Sequence, residues 1–468
     1  MRAVDKEELD IDLFREIYES LIPRDIRKII GEYYTPFWLC EYVVRSVKAD
    51  DIVIDPFCGS GSFLISAFYR KVKLGRDPDR AFREVVGFDI NPIAVSTARA
   101  NLILAYFHAK GKIKEVKYPF VFLGDFATGF IPPEFHELAR LSSAISKLYC
   151  PNLKITLDDI PLLKRAVDKY LRREKSKLKE VLKKLGAEDA YDTLTRAIDR
   201  LVERYGDGVW SSIITSAFAR YIVIKPSIIV TNPPWGLLSA VHSKYGDRLR
   251  DSIRSYTTRI TAADVSHAMV SHLLKRFPDI RHIYVMPAPQ TYEPTSVHGL
   301  GKNIIRRMLK KKKWFAKYIN VDVFRHGVFP TLLYINFEGK FKIINVKNAQ
   351  KKKHLDEVEI EENEVEYLED KYEDFMKNNK IKGLHAEGQY ITGIFGSEKY
   401  PGLSYDIIYT SEDMNKATIR ISNTNKDIVV DLDRLRNNTV EIVYMADVFP
   451  FLLRKKIKLL EKEYALSL

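Results

Sequence analysis

The 468-residue chain has room for two or three domains, and at 46% hydrophobic and 29% charged it is neither disordered nor fibrous in composition. Lys and Arg number 75 against 62 Asp and Glu, and the net charge of +13 favours a polyanionic partner such as nucleic acid. Cys40, Cys58 and Cys150 are widely spaced without a C-x-x-C pair, which argues against a disulfide framework or a zinc site and fits a reducing cytoplasm. No stretch approaches the ~18 apolar residues of a membrane span, and the first ten residues lack an apolar signal core.

In chain order, Leu9, Leu13, Ile17 and Leu21 recur every four positions and predict a leader helix over Glu7 to Ile30. Gly31-Glu32-Tyr33-Tyr34-Thr35-Pro36 breaks that pattern, and Pro36 opens a helix over Phe37 to Val47. Asp51 to Asp55 reads as a short buried strand running into Pro56-Phe57-Cys58-Gly59-Ser60-Gly61-Ser62, whose glycines permit a tight turn before the next helix. The Lys-Ser/Thr of a phosphate-gripping P-loop is missing, so nucleoside triphosphate hydrolysis is disfavoured. A second strand, Val85 to Ile90, presents Asp89 as an acceptor for two ribose hydroxyls. The polar insert Gly75 to Arg80 accounts for its long separation from the glycine loop. A crossover helix over Ala94 to Ala105 leads to a third strand, Val121 to Phe126, with Asp125 placed to accept from an exocyclic amine. Three acids after three strands in register form the pattern of a nucleotide-binding α/β sheet.

Between about Pro132 and Thr215 the strand–helix alternation stops. Lys164 to Lys184 holds ten Lys/Arg against three Asp/Glu around an apolar stripe and reads as an inserted helical subdomain with a basic face, either solvated or in contact with a nucleic-acid backbone. Ile228-Ile229-Val230-Thr231 is then a buried strand ended by Asn232-Pro233-Pro234-Trp235. That loop is either a proline-stiffened turn or a site for methyl transfer to an exocyclic amino group. In the second case Asn232 Oδ1 and the Pro233 carbonyl accept the two amine hydrogens, and Trp235 offers a face for stacking a flipped base. A helix over Ala262 to Phe277, a strand over Ile280 to Met286 and a basic helix over Asn303 to Trp314 come next. Tyr318 to Phe324 and Thr331 to Phe337 form an antiparallel pair expected to close the sheet. Beyond about Lys340, strand-like pieces at Phe341 to Val346, Val358 to Tyr367, Ala417 to Ile421 and Ile428 to Leu432 alternate with turn clusters.

Taken together, G-E-Y-Y-T-P (31–36), D-P-F-C-G-S-G (55–61), F-D-I-N-P (88–92), G-D-F (124–126) and N-P-P-W (232–235) resemble, in order, the motifs of the gamma-type, S-adenosylmethionine-dependent DNA adenine-N6 methyltransferases of restriction–modification systems. The resemblance implies an α/β chain with a Rossmann-like methyltransferase sheet over 31–340, a helical insertion at about 132–215, and a C-terminal mixed α/β target-recognition domain over 341–468 after the 1–30 leader. It places Tyr34, Thr35, Pro36, Asp55, Gly59, Gly61, Asp89, Asp125 and Phe126 around S-adenosyl-L-methionine. Asn232, Pro233, Pro234 and Trp235 become the catalytic set, with Phe324 or Phe329 as a second aromatic against the base, and no metal is implied. Double-stranded DNA is the expected partner, with a separate nuclease or specificity subunit beside it, since the leader is too short for a nuclease domain. Trp in place of the commoner Tyr or Phe, and the length of the insertion, depart from the family pattern. A guanine-N2 or adenine-N6 RNA methyltransferase and a catalytically inactive DNA-binding module are the alternatives.

Overall fold

The computed structural model describes residues 35–111, 117–127, 155–206, 216, 224–236, 238–241, 244–257, 263–287, 304–305, 307–319, 321, 323–324, 330–348, 352 and 354–364, together with seven strands between 383 and 458. The leader helix, Tyr34, Cys150 and Phe329 lie outside the described residues. Helix α1 is Phe37–Val43, and strand β1, Val53–Asp55, is followed by α2 (Ser62–Lys73) and α3 (Pro78–Arg83). Then come β2 (Val85–Asp89), α4 (Pro92–Lys110) and β3 (Val121–Leu123). Helices α5 (Asp159–Leu171), α6 (Lys175–Lys184) and α7 (Tyr191–Tyr205) lie between β3 and β4 (Ile228–Thr231). They are followed by α8 (Lys244–Ile253), α9 (Val265–Arg276), β5 (Arg281–Pro287), β6 (Trp314–Ile319), β7 (Pro330–Ile335), β8 (Lys342–Lys347) and β9 (Glu359–Glu364).

These strands make a nine-stranded sheet in the order β3-β2-β1-β4-β5-β7-β6-β8-β9. Val53 of β1 pairs in parallel with Val85 of β2 on one side and with Ile228 of β4 on the other. The chain therefore winds outward through β2 and β3, then returns across β1 to begin β4. That reversal opens a crevice at the carboxyl ends of β1 and β4, where open α/β sheets bind ligands. β1 and β4 are buried along their whole length, which is why they read as continuous apolar runs and not as alternating patterns. The architecture is Rossmann-like, with β7 antiparallel to both β5 and β6.

Four differences from the sequence-based expectation have physical causes. The polar insert at 75–80 contributes a short helix, because Asp77 accepts from the Asp79 and Arg80 amides and Pro78 is pre-set for a first turn. The Lys164 to Lys184 part of the expected helical insertion falls on two helices, broken where Arg173 takes a φ of 72°. No apolar residue lies between Leu171 and Leu178, so the turn that would carry the stripe onward has nothing to bury. The expected helix to Trp314 stops earlier, since Trp314–Ile319 is β6. Finally, the β6–β7 pair does not close the sheet: β8 pairs in parallel with β6 and β9 pairs antiparallel with β8, so the boundary expected at 340 falls inside the sheet.

From Gly383 onward the described residues are strands. β10 (Gly383–Glu387), β11 (Tyr390–Ile394), β12 (Ser404–Thr410), β13 (Lys416–Ile421) and β14 (Lys426–Asp431) form an antiparallel meander in chain order. β15 (Thr439–Tyr444) pairs with β16 (Leu453–Lys458).

Candidate active site

Asp55 is the last residue of β1 and is fully buried. Its Oδ1 accepts from the Thr231 hydroxyl at 2.6 Å and from the Phe57 amide at 3.2 Å. Its Oδ2, equally buried, has no hydrogen-bond partner among the described residues. Burial pushes the Asp55 carboxyl up to about 7, against the lowering effect of its two donors and with a smaller raising contribution from the nearby Asp89. An acceptor left in this state is one that a cationic ligand group would satisfy.

The loop after Asp55 is held from two sides. Gly59, with φ 52°, donates its amide to Asp89 Oδ2 at 2.9 Å, and Asn101 of α4 donates Nδ2 to the Ser60 carbonyl at 3.0 Å. Gly61 has φ 91°, and a Cβ there would lie 3.1 Å from the Ala98 Cβ, so this glycine serves the close packing of α2 on α4. Asp89 also accepts from the Asn91 amide at 2.8 Å through Oδ1. A carboxylate offers about four acceptor positions, and these two bonds aim it across the end of β2.

At the end of β3, Asp125 is buried and its Oδ1 accepts from the Ala127 amide at 2.8 Å. Phe126 is packed, not displayed. Its ring centroid lies 4.5 Å from that of Phe88 and 5.7 Å from that of Phe277, and the Arg276 guanidinium lies 4.2 Å from its centre. Phe126 is thereby a wall of the β2–β3 end, fixed further by Arg276 donating to its carbonyl at 2.6 Å.

Beyond Thr231 the chain enters Asn232-Pro233-Pro234-Trp235. The Asn232 Nδ2 donates to the Thr35 hydroxyl at 3.1 Å, which joins the residues just before α1 to the loop after β4. The indole expected to be open for stacking is 6% exposed: its Nε1 donates to the Val285 carbonyl at 3.3 Å and its ring meets Phe324 edge-on at 4.7 Å. Phe324 is itself buried. After Trp235 the Gly236 amide donates to Asp264 Oδ2 at 2.9 Å, and the Gly236 carbonyl accepts from the Val265 amide at 2.8 Å. Asp264 caps α9 through its Oδ1 and the Ser266 amide, and burial raises its carboxyl above the ordinary range.

Thr35, Pro36, Asp55, Gly59 and Gly61, Asp89, Asp125, Phe126 and Asn232 to Trp235 thus occupy the strand ends of one sheet and the residues next to them. The sequence reading missed Thr231 and Asp264. Asp264 carried a signal, an Asp followed by Ser266 and His267 at a helix start, which is a capping pattern. Thr231 carried none beyond its place at a strand end. Among the described residues, no group of three His, Cys, Asp or Glu could hold a metal ion, and no helix is long and apolar enough to cross a membrane.

Residues 9–115 match the family model described as N-6 DNA Methylase. Two relatives are the Adenine-specific methyltransferase PglX of Streptomyces coelicolor, 34% identical over 119 residues, and the Type I restriction enzyme MjaIX methylase subunit of Methanocaldococcus jannaschii, 34% identical over 98 residues. The matches cover 21% and 20% of this chain but only 9% and 17% of those proteins. Among solved structures, the DrdV–DNA complex aligns over 78% of this chain and 33% of its own at 12% identity with a TM-score of 0.45. The Type IIL restriction-modification enzyme MmeI in complex with DNA aligns over 77% and 43% at 11% identity with a TM-score of 0.41. The strand order, not these superpositions, fixes the fold.

Proposed function

We propose that the chain is an S-adenosylmethionine-dependent, adenine-specific DNA methyltransferase of restriction–modification type, acting on N6 of an adenine turned out of the duplex. The observation that carries this reading is the hydrogen-bonded join between two segments with different tasks. Thr231, the residue before Asn232, donates to the buried Asp55 at 2.6 Å, so the acid before the glycine loop is tied to the strand end from which the N-P-P-W loop leaves. We extend the proposal to the methyltransferase domain with its helical insertion, the target-recognition role of the C-terminal strands, a cytoplasmic location, and a separate nuclease or specificity subunit as partner.

The residues fit the cofactor. Asp55 Oδ2 is a buried acceptor for a cationic amino group, Asp89 is an acidic strand end suited to ribose hydroxyls, and Asp125 is one suited to an adenine amine. Thr35, Pro36, Gly59, Gly61 and Phe126 shape the remaining walls. When bound, S-adenosylmethionine supplies an electrophilic methyl group. The chain's own task is to make an aromatic amine nucleophilic, because its lone pair is delocalised into the ring. Asn232 Oδ1 and the Pro233 carbonyl accept the two amine hydrogens and localise that pair on nitrogen. These bonds strengthen as positive charge develops, so they stabilise the transition state more than the ground state. Trp235 and Phe324 together form the aromatic wall of the base pocket, and the two prolines keep the loop from relaxing.

The test is sequencing of native DNA from a host expressing the protein, with detection of modified bases. We expect N6-methyladenine at one recurring sequence, lost with Asn232→Ala at a cost on the order of 10² to 10³ in rate. Methyl groups on cytosine or on RNA, or an Asn232→Ala variant with parental turnover, would refute the reading.

A further inference from the structure

We infer that Thr35 is a positioning residue for the methyl-transfer step, one that sets the orientation of the Asn232 amide and does not only line the cofactor. The inference rests on the methyltransferase reading above and adds to it a division of labour within the T-P stretch.

The backbone on both sides of Asn232 is already fixed. On one side, Thr231 pairs with Tyr284 in the β4–β5 ladder and is tied by its hydroxyl to Asp55. On the other, Pro233 and Pro234 have fixed φ angles, the Trp235 indole is tied to Val285, and the Gly236 amide is tied to Asp264. The side chain alone is left undetermined by the backbone. The terminal torsion of an Asn is broad and roughly two-fold, so the amide plane is held by its neighbours, not by its own rotamer.

Turning that plane by half a revolution exchanges an acceptor for a donor. The proposed chemistry tolerates only one of the two orientations. An exocyclic amine presents hydrogens to the site, so the oxygen of Asn232 must face it; an NH₂ in that place would set donor against donor. With the oxygen forward, Nδ2 needs an acceptor behind it. Thr35 is that acceptor: its hydroxyl oxygen, on a buried residue 197 positions away in the chain, lies 3.1 Å from Nδ2. Thr35 is in turn anchored by its neighbour in the chain, since the Pro36 carbonyl accepts from the Leu39 and Cys40 amides and begins α1. Helix α1 is one of the most buried elements of the domain, with Trp38, Leu39, Cys40 and Val43 in the core. The Asn232 amide is therefore braced against the core through the Thr35 hydroxyl.

This separates Thr35 from a residue that merely touches cofactor, because loss of its hydroxyl should act on the rate at saturating cofactor and DNA, not on cofactor affinity. Thr35→Val removes the acceptor with little change of volume. In single-turnover transfer of labelled methyl groups from S-adenosylmethionine to unmethylated genomic DNA, we expect Thr35→Val to be slower on the order of tenfold. Its dissociation constant for S-adenosylmethionine, measured by calorimetry, should stay within about twofold, in keeping with near-neutral loss of a contact the ligand does not make. Thr35→Ser, which keeps the hydroxyl, should recover most of the rate. Thr35→Ala gives the same comparison if the valine variant does not fold. Thr35→Val at the parental rate, a loss carried wholly by cofactor affinity, or Thr35→Ser no faster than Thr35→Val would each overturn the inference while leaving the function intact, provided the parent methylates DNA adenine and Asn232→Ala does not. A parent that transfers nothing to DNA adenine overturns both.

Discussion

Asp55→Asn is the perturbation that reads the candidate site most directly, because the carboxyl it removes is held at about 7 by burial at the end of β1. In the unfolded chain the same group titrates near its ordinary value of 3.8. The difference is about three pH units, or roughly 4 kcal/mol at ~1.4 kcal/mol per unit. The sign depends on which state holds the proton. The folded protein keeps it up to about pH 7 while the unfolded chain loses it above about pH 4, so folding stability from this group is greatest at low pH and falls as pH rises through that window. Integrated over the window, the smaller part of this is already lost at pH 5 and the larger part, on the order of 3 kcal/mol, goes between pH 5 and pH 8. Asp55→Asn abolishes the titration and keeps an oxygen for the Thr231 hydroxyl. In denaturant unfolding followed by tryptophan fluorescence, to which the buried Trp38 and Trp235 contribute, the variant should gain on the order of 3 kcal/mol relative to the parent between pH 5 and pH 8. The same variant should bind S-adenosylmethionine more weakly. In the parent, binding should tighten as pH rises from 5 to 8 with release of a proton, since a cationic group beside Asp55 favours its charged form. Identical pH dependence of stability in parent and variant would show that the carboxyl is not held as described, and undiminished cofactor affinity in the variant would remove Asp55 from the site.

Asp89→Ala deletes both the proposed ribose acceptor and the group that receives the Gly59 amide; cofactor binding by calorimetry should weaken by about 1.5 to 3 kcal/mol, and parental affinity would move the site elsewhere. For DNA, affinity should fall steeply with salt as lysines release counterions. Lys312 and Lys313 are engaged with the Pro278 carbonyl and with Glu338. Charge reversal is therefore best aimed at the exposed Lys310 and Lys311, and an unchanged slope of log affinity against log salt would place the phosphate contacts elsewhere.

The features legible in the chain alone are those that local physics dictates. β1, β2 and β4 are short apolar runs because both faces of the sheet are covered, and each ends on or beside a polar residue because the strand ends open onto the crevice. Asp55, Asp89 and Asn232 obey that grammar, and so does the turn at Gly59. Helix ends were blurred where caps compete with hydrophobic spacing, as at Asp77 and Asp264. β9 falls inside the strand-like piece read over Val358 to Tyr367. Its E-I-E-E-N-E is an edge strand held to β8 by Lys342–Glu362 at 2.9 Å and Lys340–Glu364 at 2.6 Å. Charged residues of this kind are how an exposed edge avoids pairing with another chain.

The site's couplings were illegible for a more general reason. Thr231 and Asp55 are 176 positions apart, and Asn232 and Thr35 are 197 apart. Nothing in the neighbourhood of either threonine distinguishes a hydroxyl that braces a distant side chain from one at an ordinary strand end or helix start. Trp235 shows the consequence. From sequence, an indole after two prolines reads as a displayed face, because the loop must leave the sheet. In the fold the same stiffness turns the ring back, where Val285 of the neighbouring strand offers a carbonyl and Phe324 an edge. A loop built from prolines cannot adjust to its ligand, so its side chains must be held in advance by groups from other segments. The hydroxyl of Thr35, the carboxyls of Asp55 and Asp264 and the carbonyl of Val285 supply that hold, each from a different part of the chain.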